Sequence, residues 1–141
     1  MYNLQCVWCG NKFSHSQKHT KFCSNNCRKE RMAKELNRRA GVYKGLPTNT
    51  IAAISELSVG ADLLKKGYYV FRALSMASYC DLIAIKENKI YQVEVRTGYK
   101  SIDGKLFYPI LLRKTANLYA VWERNSQEIT YLDDKRQIVK I

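Results

Sequence analysis

The stretch "CDLIAIKENKIYQVEVRTG", residues 80 to 98, decides how this chain is read. Two runs rich in β-branched and aromatic residues, Asp81 to Lys86 and Lys89 to Thr97, flank Glu87-Asn88, which reads as a two-residue turn. With that turn Lys86 faces Lys89, and the register carries Asp81 opposite Glu94 on one face of the hairpin. Arg96 points to that same face, whereas Val93 and Val95 point into the core. Two carboxylates held this close repel unless a cation lies between them, and all-oxygen ligation favours Mg²⁺ or Mn²⁺. A slip of one residue in the turn would separate the acids.

Upstream, Thr48-Asn49-Thr50 is a helix start signal, followed by Ile51, Ile54, Leu57, Ala61 and Leu64 at helical period and by Gly67 as a stop. Glu56 lies on a small apolar stripe of that helix with Ala52, Ala53, Val59 and Gly60. A carboxylate there has to be paired with an arginine, reach solvent or face a metal. Further strands are expected over residues 68–74, 118–123 and 128–132. A helix followed by a meander predicts a mixed or antiparallel sheet with the helix on one face, an α+β architecture.

The chain has 141 residues, 46% of them hydrophobic, which suffices for one core and a small appended module. Lys and Arg number 24 against 12 Asp and Glu, a net charge of +12 that makes a polyanion the expected partner. No apolar run approaches the roughly 20 residues that span a bilayer, so no membrane role is expected. The first residues lack the blocks of a signal peptide, which points to the cytoplasm, where clustered thiols more often hold metal than form disulfides.

Four of the five cysteines, Cys6-x2-Cys9 and Cys23-x3-Cys27, have the spacing of a structural, tetrahedral zinc site. His15 and His19 could replace a thiolate, but four cysteines already satisfy zinc, and the two read as surface residues. From Ser24 to about Ala40 a helix carries Arg28, Lys29, Arg31, Lys34, Arg38 and Arg39, suited to clamping phosphates with little base discrimination. Residues 41–49, rich in Gly and containing Pro47, read as a linker between a 1–40 module and a 50–141 domain. Lys100, Lys105, Arg113 and Lys114, interleaved with Tyr99, Phe107 and Tyr108, form a second candidate nucleic-acid surface. Phe107 and Tyr108 read equally well as strand core.

"CVWCGNKFSHSQKHTKFCSNNCRKER" resembles a treble-clef zinc finger of the kind appended to many DNA-acting proteins. "TIAAISELSVGADLLKKGYYVFRALS" followed by the 80–98 hairpin resembles the PD-(D/E)XK, restriction-endonuclease-like nuclease superfamily, most of all its resolvase-type and homing-endonuclease-type branches. The likeness is good over roughly residues 48 to 98 and loose beyond. It implies that Asp81 and Glu94 bind a catalytic Mg²⁺ or Mn²⁺, with Glu56 completing the metal's shell or orienting its water. The residue at position 96 would then place the attacking hydroxide and steady charge on phosphorus. DNA is the implied partner, and a homodimer the expectation for cutting two strands, although no apolar heptad marks an interface.

Two departures matter. The stretch 100–115 shows no amphipathic helix, and Asp103-Gly104 signals a tight turn in its place. Position 96 holds arginine where lysine is expected. Arginine keeps its charge and offers a planar fork to a phosphate, but cannot act as a base. Three readings follow: Arg96 works by electrostatics alone, Lys100 or Lys114 reaches in, or catalysis is lost and the domain only grips DNA.

Overall fold

The computed structural model describes residues 1–75, 77–109 and 116–141. The chain divides into two compact units, Met1–Arg39 and Ala40–Ile141.

In the first unit, β1 (Tyr2–Gln5) and β2 (Lys12–His15) form an antiparallel hairpin with Leu4 opposite Phe13. Between them the chain makes a knuckle: Gly10 donates to the Cys6 carbonyl at 3.0 Å and Cys6 to that of Asn11 at 2.9 Å. Gly10 takes the left-handed conformation (φ 76°) that such a turn demands. Helix α1 spans Asn25–Ala40, and Ser24 Oγ accepts the Cys27 N–H at 3.2 Å, satisfying a donor of the first turn. No α1 residue is buried, so burial contributes little to holding it. The helix is instead pinned to the knuckle through Trp8, whose indole donates to Glu30 at 2.8 Å while the Lys34 ammonium sits 5.3 Å from its ring.

In the second unit, α2 (Thr48–Lys65) packs on one face of a sheet. The strands are β3 (Tyr69–Arg72), β4 (Leu82–Lys86), β5 (Lys89–Lys100), β6 (Leu106–Phe107), β7 (Leu118–Glu123) and β8 (Ile129–Asp133). Their order is β3-β4-β5-β7-β8, with β6 paired to β5. Among the described strands only β5 and β7 run parallel, with Val95 opposite Ala120, so the sheet is mixed. Gly67 (φ 83°) stops α2, and the Leu63 carbonyl accepts the Tyr68 N–H at 3.1 Å. Lys86 donates to the Lys66 carbonyl at the same helix end, 2.9 Å away.

The core lies between α2 and the sheet, where Val59 and Leu63 meet Leu82, Ala84, Val93, Val95, Ala120 and Trp122. Alternation along the strands then sends Ile83, Gln92, Glu94 and Arg96 to the opposite face. Glu87 and Asn88 both take positive φ (50° and 61°), the type I′ turn that matches the twist of a two-residue hairpin. The register follows from it: Lys86 pairs with Lys89 and Leu82 with Val93.

Part of the expected linker packs against the second unit. The Tyr43 ring lies 5.5 Å from that of Trp122, and Gly41 adjoins the Arg124 side chain so closely that a Cβ would stand 2.6 Å from Arg124 Cδ. The stretch after β5 forms a hairpin through Asp103-Gly104, with Gly104 donating to Ser101 at 2.9 Å. Gly98 lets β5 and β6 approach β7: a Cβ there would meet Val121 Cγ1 at 2.7 Å and the Phe107 carbonyl at 2.8 Å.

Candidate functional site

The four cysteines of the first unit converge. Their sulfurs all lie within 4.8 Å of one another, with Cys9 to Cys23 and Cys23 to Cys27 both at 3.6 Å. A zinc tetrahedron with bonds of about 2.3 Å needs sulfurs about 3.8 Å apart, so the donor set fits. The backbone N–H of Cys9 draws the Cys6 thiol down to about 6 against the effect of burial. Hydrogen bonds with Cys27 and Cys9 hold the Cys23 proton up to about 12. A divalent cation would displace that shared proton. His15 stands outside the group, its Nδ1 bonded to the Gln17 N–H and to Thr20 Oγ1. Among the described residues this is the one cluster of three or more metal-binding side chains so close together.

In the second unit, α2 and the ends of β4 and β5 border a cleft of about 310 Å³ lined by Ser55, Glu56, Asp81, Arg96, Thr97 and Arg124, among others. Three of the residues singled out in the sequence thus line one cavity. Asp81 stands just beyond the regular ladder: its N–H donates to the Val93 carbonyl at 3.1 Å, and its Oδ2 accepts the Val95 N–H at 2.8 Å. That second bond fixes the carboxylate at the cleft. Ser55, fully buried, accepts from Thr97 Oγ1 at 3.1 Å and ties the helix to β5 beneath the cleft.

Glu94 does not line the cleft. It is 1% exposed, and its Oε1 lies 2.7 Å from Arg96 Nη2. Burial and then the charges of Asp81 and Glu94 push the Cys80 thiol up. Glu56 accepts from Arg72 Nε and Nη2 at 3.1 and 2.9 Å, so of the ways open to a carboxylate on that stripe it takes the arginine. Of the three carboxylates, Glu56 and Asp81 line the cleft, and Mg²⁺ takes one or two carboxylates and keeps several waters. Two arginines stand beside those carboxylates, Arg96 at Glu94 and Arg72 at Glu56.

The remaining basic residues divide. Arg28, Lys29, Arg31, Lys34, Arg38 and Arg39 all lie on α1, with Arg31 and Arg38 half-buried and the other four exposed. Lys100 does not reach the cleft: its ammonium pairs with Glu128. Lys105 sits 5.2 Å over the Phe107 ring, which stacks on Tyr99 at 5.5 Å, and Phe107 stays partly exposed. Arg113 and Lys114 lie outside the described residues.

Two arginines escape the sequence reading: Arg124, which lines the cleft, and Arg72, which pairs with its Glu56. Arg72 shares the face of Val70 on β3, and the need of Glu56 for a cation is the signal that could find it. Arg124 follows β7 directly and donates its backbone N–H to Gly98 at 3.1 Å, a pairing between distant segments that leaves no local pattern.

No family model matches the chain, and no curated protein matches it. Among solved structures it is similar to a bacterial homing endonuclease, with a TM-score of 0.56 and 16% sequence identity over 63% of this chain and 67% of the other. At that identity the likeness establishes the fold, a mixed α+β arrangement shared with a nuclease. No helix among the described residues is long and apolar enough to cross a membrane.

Proposed function

We propose that this protein is a metal-dependent DNA endonuclease of the PD-(D/E)XK type, with a zinc finger and basic helix that dock the duplex. The observation that carries the reading is the meeting of Glu56, Asp81 and Arg96 in one cleft, with Glu94 bonded to Arg96, on a fold shared with a homing endonuclease. Asp81 and Glu94 would hold Mg²⁺ or Mn²⁺, which when bound lowers the pKa of a water and polarises the phosphate. The protein's own groups account for the rest. The Val95 N–H fixes Asp81, and Arg72 fixes Glu56, which would orient the attacking water. Arg96 cannot accept a proton, so its role is to stabilise charge building on the phosphoryl oxygens. The exposed cations of α1 and Lys105 supply phosphate contacts away from the reacting bond, and a homodimer would present two clefts to two strands.

A second reading, a DNA-binding protein on a degenerate nuclease core, draws on the two arginine–carboxylate pairs, which neutralise Glu94 and Glu56 without any metal. Cleavage of supercoiled plasmid and branched DNA with Mg²⁺ or Mn²⁺ separates the two. Wild-type cutting that Asp81→Asn and Glu94→Gln each abolish supports the enzyme. Binding without cutting by wild type, and by Arg96→Lys as well, supports the second reading.

A further inference from the structure

We infer that Arg124 anchors a DNA backbone phosphate flanking the one that meets Asp81, and so sets which stretch of strand lies in the cleft. The inference rests on the cleft being the DNA site, and it holds whether or not the bound strand is hydrolysed. Arg124 lines the cleft with Glu56, Asp81 and Arg96. Ala120 and Trp122 belong to the core beneath α2, and alternation brings Arg124 to that same side, one step past the end of β7. Its N–H bond to the Gly98 carbonyl, 3.1 Å long, carries the parallel pairing with β5 on to this residue and holds its backbone in place.

Position selects the ligand atom. Arg72 and Arg96 belong to the acidic end of the site, 2.9 Å from Glu56 and 2.7 Å from Glu94. Val95, whose N–H fixes Asp81, stands opposite Ala120, and Arg124 follows four residues on, about 13 Å along a strand that rises about 3.3 Å per residue. That offset takes Arg124 away from a phosphate at Asp81 and toward a neighbouring phosphate of the same strand. Glu123, the acid next to it in sequence, directs its carboxylate to the N–H groups of Lys100, Asn125 and Ser126. The first turn of α2 borders the same cleft through Thr48 and Ile51 and holds no acidic residue, so its dipole adds to the positive charge. The stem of Arg124 is seated: a Cβ at Gly41 would stand 2.8 Å from its Cγ, so glycine there leaves it room. A seated stem presents the planar guanidinium to a phosphate with little further ordering to lose on binding.

DNA binding by the full, zinc-loaded chain without Mg²⁺, followed by fluorescence anisotropy over a salt series, tests this apart from cleavage. Arg124→Gln and Arg124→Met, the second keeping an apolar stem against Gly41, should each reduce the slope of log affinity against log salt by about 0.9, the share of one phosphate contact on duplex DNA, and weaken binding roughly threefold or more at low salt. Arg124→Lys, which keeps the charge, should keep the slope. Circular dichroism and melting temperature identify a variant that misfolds, and the other then decides. With Mg²⁺, Arg124→Gln should raise KM for DNA several-fold more than KM for bis(p-nitrophenyl) phosphate, a diester with no flanking phosphate. A slope that both variants leave unchanged, or equal losses on DNA and on the small diester, would overturn the inference. Wild type that binds DNA without cutting it sinks the endonuclease reading alone and leaves the slope to decide this one, whereas wild type that binds no DNA overturns both.

Discussion

Arg96 Nη2 lies 2.7 Å from Glu94 Oε1, and that carboxylate is almost wholly buried. The pair explains how the chain tolerates a charged glutamate inside the sheet. It also sets what arginine at this position costs the proposed chemistry, since a phosphate and Glu94 compete for one guanidinium.

Replacing Arg96 should therefore act on stability before it acts on catalysis. Arg96→Ala is expected to lose about 3 kcal/mol, the low end of the roughly 3–5 kcal/mol for removing one partner of a buried ion pair, because Arg96 is 29% exposed. Denaturant midpoints with and without Mg²⁺ check this: added Mg²⁺ should restore more stability to the variant than it gives wild type, and equal gains would argue against a metal at Glu94.

The cysteine cluster predicts one zinc per chain. Chelation should unfold residues 1–39, because a module this short with an unburied helix has no core to fall back on. The two tryptophans report on it. Trp8 emission should shift to the red as its contacts with Glu30 and Lys34 are lost, while Trp122, 1% exposed in the core, should keep its buried spectrum.

Glu123 predicts an acid limit to stability. Burial alone would raise its pKa, but N–H groups of Ser126, Lys100 and Asn125 at 2.6, 3.1 and 3.2 Å outweigh it and hold the carboxyl at about 2 against an ordinary 4.5. Because the folded value lies below the unfolded one, the stabilisation is fully present above about pH 4.5. It is lost as pH falls toward 2, by on the order of 2 kcal/mol. Glu123→Gln should flatten the dependence of melting temperature on pH across that window while lowering it at neutral pH.

Gly98→Ala should destabilise by about 2 kcal/mol, because the new methyl would press on the Phe107 carbonyl, which is backbone held in the β5–β6 pairing. Hydrogen exchange should locate the loosening in β5 and β6. Uniform loosening across the sheet would show that the crowding is relieved elsewhere.

What could be read in advance follows the range of the interaction. The hairpin register, the stop at Gly67 and the cysteine cluster rest on neighbours within a few residues or on a fixed spacing, and the type I′ turn at Glu87-Asn88 left no alternative register. The sheet was expected as mixed or antiparallel, but the parallel pairing of β5 with β7 was out of reach, because it is chosen by which side chains bury Ala120 and Trp122 together. Tyr43 reads as linker because a lone aromatic among glycines has no period, and only the ring of Trp122 gives it a place. Glu56 was legible as a problem, not as a solution: its cation, Arg72, comes from a strand whose own pattern says nothing of the helix above it.

The two left-handed residues at the tip of the β4–β5 hairpin set which amino acids can change freely and which cannot. Many substitutions along these strands would leave Asp81 and Glu94 in place. One inserted or deleted residue at the tip would move the valines into the position of the acids and the acids into the core, with every residue of the cleft still present. Variation in this region should therefore be rich in replacements and poor in changes of length.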